Sequence, residues 1–250
     1  IELNSLFINL EIIMKKITIY FLLFTLSLNF SFGQDLKDKN ILIVYGGYEP
    51  HKPELFADYV EEWFLKKGAN VSKTNDLKVY RDLDKLKNQN LIVQSVTMMQ
   101  LDSLEASHLT KAVASGVGIA GAHGGLVDSY RSNTSYQFMI GGQFVSHPGG
   151  KVNFKVEMLE DELTKGLNDF DIFTEQYYMH FDPNIDIIAK TKFNGDIFHW
   201  IDNVEMPIAW KKIYDKGKVF FISIGHDPNE FMRKKDAWEL LTRGFLWAMK

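Results

Sequence analysis

Seven histidines and no cysteine set the chemistry open to this chain. Without a thiol, disulfides, thiolate metal sites and cysteine nucleophiles are excluded. What remains is imidazole and carboxylate chemistry: proton transfer near neutral pH, or coordination of a divalent metal such as zinc. Three histidines share one setting. His51 follows the apolar run Ile41–Tyr45 and Gly46-Gly47; His123 stands in Gly121-Ala122-His123-Gly124-Gly125; His226 follows Ser223-Ile224-Gly225. Glu175 is a carboxylate among aromatic residues, in Phe173-Thr174-Glu175-Gln176-Tyr177-Tyr178. Burial there would raise its pKa toward acid–base use.

His123, Glu175 and His226 are therefore the catalytic candidates, and the ligand set if a metal binds. No short motif such as His-Glu-x-x-His is present, so ligation would have to join residues distant in sequence. The same three groups serve equally well as a proton-transfer set around a sugar, with Tyr177 or Trp210 giving a stacking face. His51 and His147 are substrate-contact candidates; His147 precedes Pro148, which biases it to extended backbone, where it would also anchor a loop. Plainer readings stand beside these: His123 filling a tight turn, His226 capping one, Glu175 solvated. His108 and His199 read as packing or surface residues, and His180 is left open.

These residues need a frame. The run Asn40–Tyr45 has the continuous apolar character of a strand buried on both faces of a parallel sheet. From Pro53 to Gly68, apolar residues at Leu55, Phe56, Tyr59, Val60, Trp63 and Phe64 keep helical spacing, with Pro near the start and Gly past the end. Val71 marks a short second strand and Leu91–Val96 a third. Asp102 or Ser103 caps a helix through Leu104, His108, Leu109, Ala112 and Val113, stopped at Gly116. Val117–Ala122 is a glycine-laced fourth strand. This alternation predicts a doubly wound α/β sheet. Further strands are expected at Lys151–Glu157, Ile185–Thr191, Pro207–Tyr214 and Lys218–Ile224. A closing helix, Asp236–Met249, presents Trp238, Leu241, Phe245 and Trp247 for packing. In open α/β sheets the ligand crevice lies beyond the carboxyl ends of the strands, which is where His51, His123 and His226 fall.

The 250 residues are 46% hydrophobic, enough for one domain with a large core. No repeat or linker divides residues 34–250. A net charge of −4 without a basic stripe gives no footing for nucleic acid, and nothing in the pattern fixes an oligomeric state. Met14-Lys15-Lys16, the apolar run Ile17–Leu28 and Ser31-Phe32-Gly33 make a basic start, a short apolar stretch and a small-residue exit. The expectation is a signal peptide over 14–33, cleaved after Gly33, and a protein of the periplasm or cell exterior. The run is shorter than the ~20 apolar residues of a spanning helix, so no membrane anchor is expected to remain. Residues 1–13 precede the expected start at Met14 and are read as an over-extended reading frame.

Several stretches, taken in order, resemble the ThuA-like (trehalose-utilisation) proteins of the class I glutamine amidotransferase-like superfamily. They are Gly118–Gly125, Gly141-Gly142-Gln143-Phe144 with His147-Pro148, and Thr174-Glu175-Gln176-Tyr177. Pro207-Ile208-Ala209-Trp210, Gly217–Phe221 running into Gly225-His226, and Gly244–Ala248 complete the set. The resemblance implies a flavodoxin-like, doubly wound, mostly parallel sheet with helices on both faces. It also implies a link to disaccharides and oxidised (3-keto) sugars, and carries His51, His123, Glu175 and His226 over as site residues. The family's acidic pair is here Thr174-Glu175, one carboxylate short. Amidotransferases place a nucleophilic Cys at the turn that here reads Ala122-His123-Gly124, so glutamine hydrolysis through a thioester is not available to this chain. His226-Asp227-Pro228 resembles the place where they carry their His.

The expected function is an exported protein of carbohydrate utilisation. It would act on a disaccharide, glycoside or keto-sugar by His/Glu acid–base or metal-assisted chemistry. A non-catalytic sugar-binding or interaction domain is the alternative, with metal-dependent hydrolysis of a non-sugar ester or amide as a third.

Overall fold

The computed structural model describes residues 35–250; the expected leader and the residues ahead of it lie outside the described residues. The chain winds first as Asn40–Gly47 (β1), Pro53–Lys66 (α1), Asn70–Thr74 (β2), Leu83–Lys87 (α2), Leu91–Thr97 (β3), Ser103–Ala114 (α3) and Gly118–Ala122 (β4). Two short helices follow, Gly124–Val127 (α4) and Thr134–Ile140 (α5). Six strands come next: Gly142–Ser146 (β5), Lys151–Met158 (β6), Phe170–Glu175 (β7), Tyr178–Phe181 (β8), Asp186–Lys192 (β9) and Glu205–Tyr214 (β10). Gly217–Ile222 (β11), Asn229–Arg233 (α6) and Lys235–Ala248 (α7) complete the chain.

The main sheet runs β2-β1-β3-β4-β11-β10-β9-β6-β7, and β5 pairs with β8 in a small separate sheet. Pairing is parallel from β2 to β11 and antiparallel from β11 to β7. The parallel half has the 2-1-3-4-5 order of flavodoxin-like sheets, with β11 in fifth place. All seven residues of β3 are buried, as a central strand covered on both sides requires. On one face α1 and α7 pack together, the Phe64 and Phe245 rings 5.5 Å apart. On the other, Leu109, Ala112 and Val113 of α3 and Tyr136, Met139 and Ile140 of α5 share a core with Leu42, Ile92, Ile119 and Phe221.

The long helices start and stop where the sequence places them. Pro53 opens α1, and Phe56, Ala57, Val60 and Phe64 form its buried stripe. Asp102 caps α3 in a reciprocal capping box with Glu105. In α7, Leu241 and Phe245 are buried as expected, while Trp238 and Trp247 lie half-buried at the edges of the stripe. The short elements α4, α5, α6, β5 and β8 carry too few residues to show a period. One polar residue of β3 stands out: Gln94, fully buried, donates to Ser129 Oγ (2.9 Å) and Tyr136 Oη (2.5 Å) and accepts from Tyr80 Oη (2.9 Å). This satisfied network lies beneath α4 and fixes the turn that precedes it.

Trp210 requires a correction. Expected as a stacking face for a sugar, it is wholly buried in β10. Its indole N–H donates to Ile140 O (3.0 Å) and its ring packs on Phe221 with centroids 4.3 Å apart. A strand covered on both faces leaves no ring surface for a ligand, so Trp210 is a core residue.

Candidate functional site

The rim of the parallel half gathers the expected residues. β1 ends at Gly47, where φ is +87° and a Cβ would sit 1.9 Å from Thr97 O, so only glycine lets the chain cross the end of β3. A single 3-10 turn, Glu49–His51, then brings His51 back over the sheet. His123 occupies the strand-to-helix turn between β4 and α4 with φ 51° and ψ −144°. Such a turn lifts its side chain above the sheet end, as sharp nucleophile turns do in α/β enzymes. Gly124 follows it, and a Cβ there would lie 2.7 Å from His51 Cε1. His226 stands beyond β11, in a turn whose Gly225 and Asp227 amides both donate to Glu230. Glu175 reaches in from the end of β7.

Together, one ligating atom from each of His51, His123, Glu175 and His226 lies within 4.8 Å of all the others. His123 Nε2 and His226 Nδ1 both approach the same carboxylate oxygen, Glu175 Oε2, at 3.1 Å. Yet His226 Nδ1 is buried and makes no hydrogen bond. His123 Nδ1 lies 2.8 Å from Ser223 O, so that nitrogen carries the proton and donates it, and Nε2 of the neutral ring bears a lone pair. The Tyr177 hydroxyl, 2.7 Å away, is a donor for that lone pair, while the Glu175 contact becomes attractive when the ring is protonated or a cation joins the two. The arrangement thus admits an imidazolium–carboxylate proton set or a three-imidazole, one-carboxylate cation site.

The electrostatics of the cluster follow from burial and mutual charge. Burial, reinforced by the positive charge of His123 and His226, pushes His51 down to about 3, so its imidazole stays neutral and keeps a lone pair. Burial alone would raise Glu175, but the His123 hydrogen bond and the nearby His123 and His226 rings outweigh it and hold the carboxyl well below its usual range. Burial, then the charges of Glu175 and Asp128, raise Tyr177 well above the phenol range. It stays a hydroxyl.

Other expected residues take different places. Tyr177 is almost wholly buried, its ring stacked on His123 at 4.2 Å and its hydroxyl 2.7 Å from His123 Nε2. It buttresses the imidazole and offers no stacking face to a sugar, a correction to the sequence expectation. His147 stays at the mouth, its side chain 42% exposed and Nε2 3.8 Å from Glu175 Oε1. Thr174 is buried with its hydroxyl unpaired, on the face of β7 opposite Glu175. Alternation therefore points any acid at 174 away from the histidines. His108 reaches Arg81 O at 3.0 Å on the surface. Neither His199 nor His180 belongs to the cluster.

Two positioning groups escaped the sequence reading. Thr97 Oγ1, at the end of β3, lies 3.1 Å from His51 Nδ1 and orients that ring. The rim rule that singled out the other strand ends points equally to Thr97. Lys52 pairs with Asp227 at 2.9 Å, tying the loop of His51 to the loop of His226. Burial would raise Asp227, but the Lys52 and Asn229 hydrogen bonds hold it at about 2. No sequence spacing signals a pair this far apart.

A family model described as ThuA, trehalose utilisation, matches residues 40–248. No curated protein matches by sequence. The fold is similar to that of a ThuA-like protein from Bacteroides uniformis, with TM-score 0.69 and 18% identity over 85% of this chain and 91% of that one. A ThuA-like protein from Parabacteroides merdae gives TM-score 0.66 and 14% identity over 85% and 90%. A β-galactosidase from Bacillus circulans gives TM-score 0.50 and 12% identity over 84% of this chain and 32% of that one. At these identities the likeness is one of fold.

Proposed function

The chain belongs to the ThuA family, described as trehalose utilisation, and on that premise we propose an exported carbohydrate-utilisation protein in which His51, His123, Glu175 and His226 hold a divalent cation. The observation that carries this is the double approach to Glu175 Oε2: two imidazole nitrogens at 3.1 Å, one of them buried and without a hydrogen bond. Separate protons on the two rings would satisfy these two contacts, whereas a single cation joins all four groups. Three nitrogen donors and one carboxylate suit zinc. A cation held there would supply Lewis-acid polarisation of a sugar carbonyl or hydroxyl and lower the pKa of a bound water.

The chain's own residues supply the rest. Ser223 O fixes the His123 tautomer, as outer partners of metal-bound imidazoles do. Thr97 sets the His51 ring, and Tyr177 braces His123 from below. His147, exposed beside Glu175, is the group placed to pass a proton between substrate and solvent. The substrate class is a disaccharide, glycoside or keto-sugar. Export is supported by the leader pattern of residues 14–33.

Metal analysis of the purified chain, with turnover of glycosides and 3-keto-glycosides before and after chelation, tests this reading. The expected result is about one cation per chain, lost in Glu175→Gln and His226→Ala, with turnover lost alongside. Absence of bound metal after incubation with zinc or manganese would overturn it. A non-catalytic sugar-binding module is the second reading, favoured by the likeness to about a third of a β-galactosidase chain. Sugar binding without turnover, unchanged by His123→Ala and His226→Ala, would decide for it.

A further inference from the structure

A cleft of about 820 Å3 opens beside the histidine cluster, where β6 parts from β9. The two strands pair only at Glu157 and Met158; ahead of these residues β6 stays with β7 and leaves a gap. The gap is walled by Val152 and Phe154 of β6, Phe173 of β7, and Phe193, Ile197 and Phe198 of the β9–β10 connection. Its volume is in the range of small-molecule sites.

This cleft adjoins the candidate centre through two dipeptides. His147 and Glu175 face the imidazole cluster, while their neighbours Pro148 and Gln176 line the cleft. Gln176 is held there by hydrogen bonds from its amide to Thr191 Oγ1 (2.8 Å) and Lys192 O (3.2 Å). The cleft and the cluster are thus one residue apart along the chain at two points.

The lining defines the ligand's chemistry. Phe173 is 58% exposed, and Phe198 carries Trp200, 67% exposed, stacked on it at 4.6 Å and 24°. Large rings left this bare in a folded protein mark a binding face. The lining also holds the neutral amides of Asn153, Asn194 and Gln176, and its charges balance, Lys155 and Lys192 against Asp171 and Asp196. The balance selects neither anion nor cation. Rings that stack on apolar C–H faces, with the Asn153 amide and the Gln176 carbonyl oxygen left to bond hydroxyls, fit a neutral polyhydroxylated ring.

We propose that the cleft is the subsite for the non-reacting sugar unit of a disaccharide or longer glycoside, with Phe173 and Phe198 as its stacking face and Trp200, stacked on Phe198 just outside it, holding that ring in place. This rests on the carbohydrate reading above and extends it from the reacting centre to the leaving or retained sugar. Binding in the cleft would hold the adjoining sugar against the cluster, so that contacts remote from the chemistry orient the reacting unit.

Calorimetric titration of the full chain with trehalose, cellobiose and glucose tests the proposal, in metal-loaded and chelated protein. At least one disaccharide is expected to bind about tenfold or more tighter than glucose, the scale of one aromatic contact. Phe173→Ala and Trp200→Ala should remove that advantage and Trp200→Phe should keep it; the last variant separates lost stacking from lost folding. Chelation should leave it in place, because the subsite lies outside the cluster. Disaccharide preference that survives both alanine variants overturns the subsite while leaving the metal reading intact. Equal binding of disaccharide and glucose, or none, in metal-loaded protein also overturns it.

Discussion

At the scale of single residues, the candidate site is governed by who holds which proton. Ser223 O accepts the Nδ1–H of His123, and Thr97 Oγ1, 3.1 Å from His51 Nδ1, orients that ring. Replacing Thr97 by Val keeps the shape and removes the oxygen. Cation affinity should fall about 10–100-fold, as for outer partners generally, with the fold unchanged; competition against a chelating indicator measures it. His51 gives a second prediction. Its folded value of about 3 lies below its ordinary 6.5, so the unfolded chain binds the extra proton. Stability from this group is therefore fully present above pH 6.5 and is lost as pH falls toward about 3. In metal-free protein, denaturant midpoints should drop between pH 6.5 and 4.5, and His51→Gln should flatten that drop. An unchanged slope in the variant would refute the buried neutral imidazole.

The residue scale is also where sequence reading was most mixed. His51, His123, Glu175 and His226 were legible because three follow apolar strands and the fourth sits among aromatics. Tyr177 and Trp210 were singled out with them as stacking residues, yet both are buried. Aromatic residues near a motif look alike in sequence whether they line a cleft or fill a core, and only packing separates them.

At the scale of elements, short loops at strand ends do the positioning. The turn at His123 and the glycine after it let the β4–α4 junction pass under His51. Gly124→Ala would place a Cβ 2.7 Å from His51 Cε1, forcing the ring away while the sheet below keeps its contacts. Cation affinity should fall by at least about tenfold, at a stability cost of about 1–3 kcal/mol. Near wild-type affinity in a folded variant would show that His51 is not a ligand. The long helices α1, α3 and α7 were readable from their period and caps. The brief elements β5, β8, α4, α5 and α6 were not, because each is held by tertiary contacts and carries too little pattern of its own.

For the whole molecule, folding and cation binding should be separable. The core between α3, α5 and the sheet is complete without the cluster, so chelated protein is expected to stay folded. A cation at about 100 times its Kd should then add about 2.7 kcal/mol. For a chain of this size that raises Tm by about 5–10 °C. His226→Ala should lose the increment while unfolding cooperatively, and calorimetry with and without zinc reads both. A chain that unfolds on chelation would instead make the cluster a structural site.

The sequence by itself determined the parallel half of the sheet, its long helices, the exclusion of thiol chemistry and the rim on which three histidines fall. These follow from local pattern: buried apolar runs, helical period, and the rule that strand ends hold the crevice. Only the tertiary structure decided which side chains meet. Glu175 arrives on β7, at the far edge of the antiparallel extension, and reaches His123 and His226 because the insertion between β4 and β11 returns over the rim. Lys52 meets Asp227, Thr97 meets His51, and β6 leaves β9 to open the cleft. Each depends on residues brought together from distant parts of the chain, a proximity that no local spacing encodes.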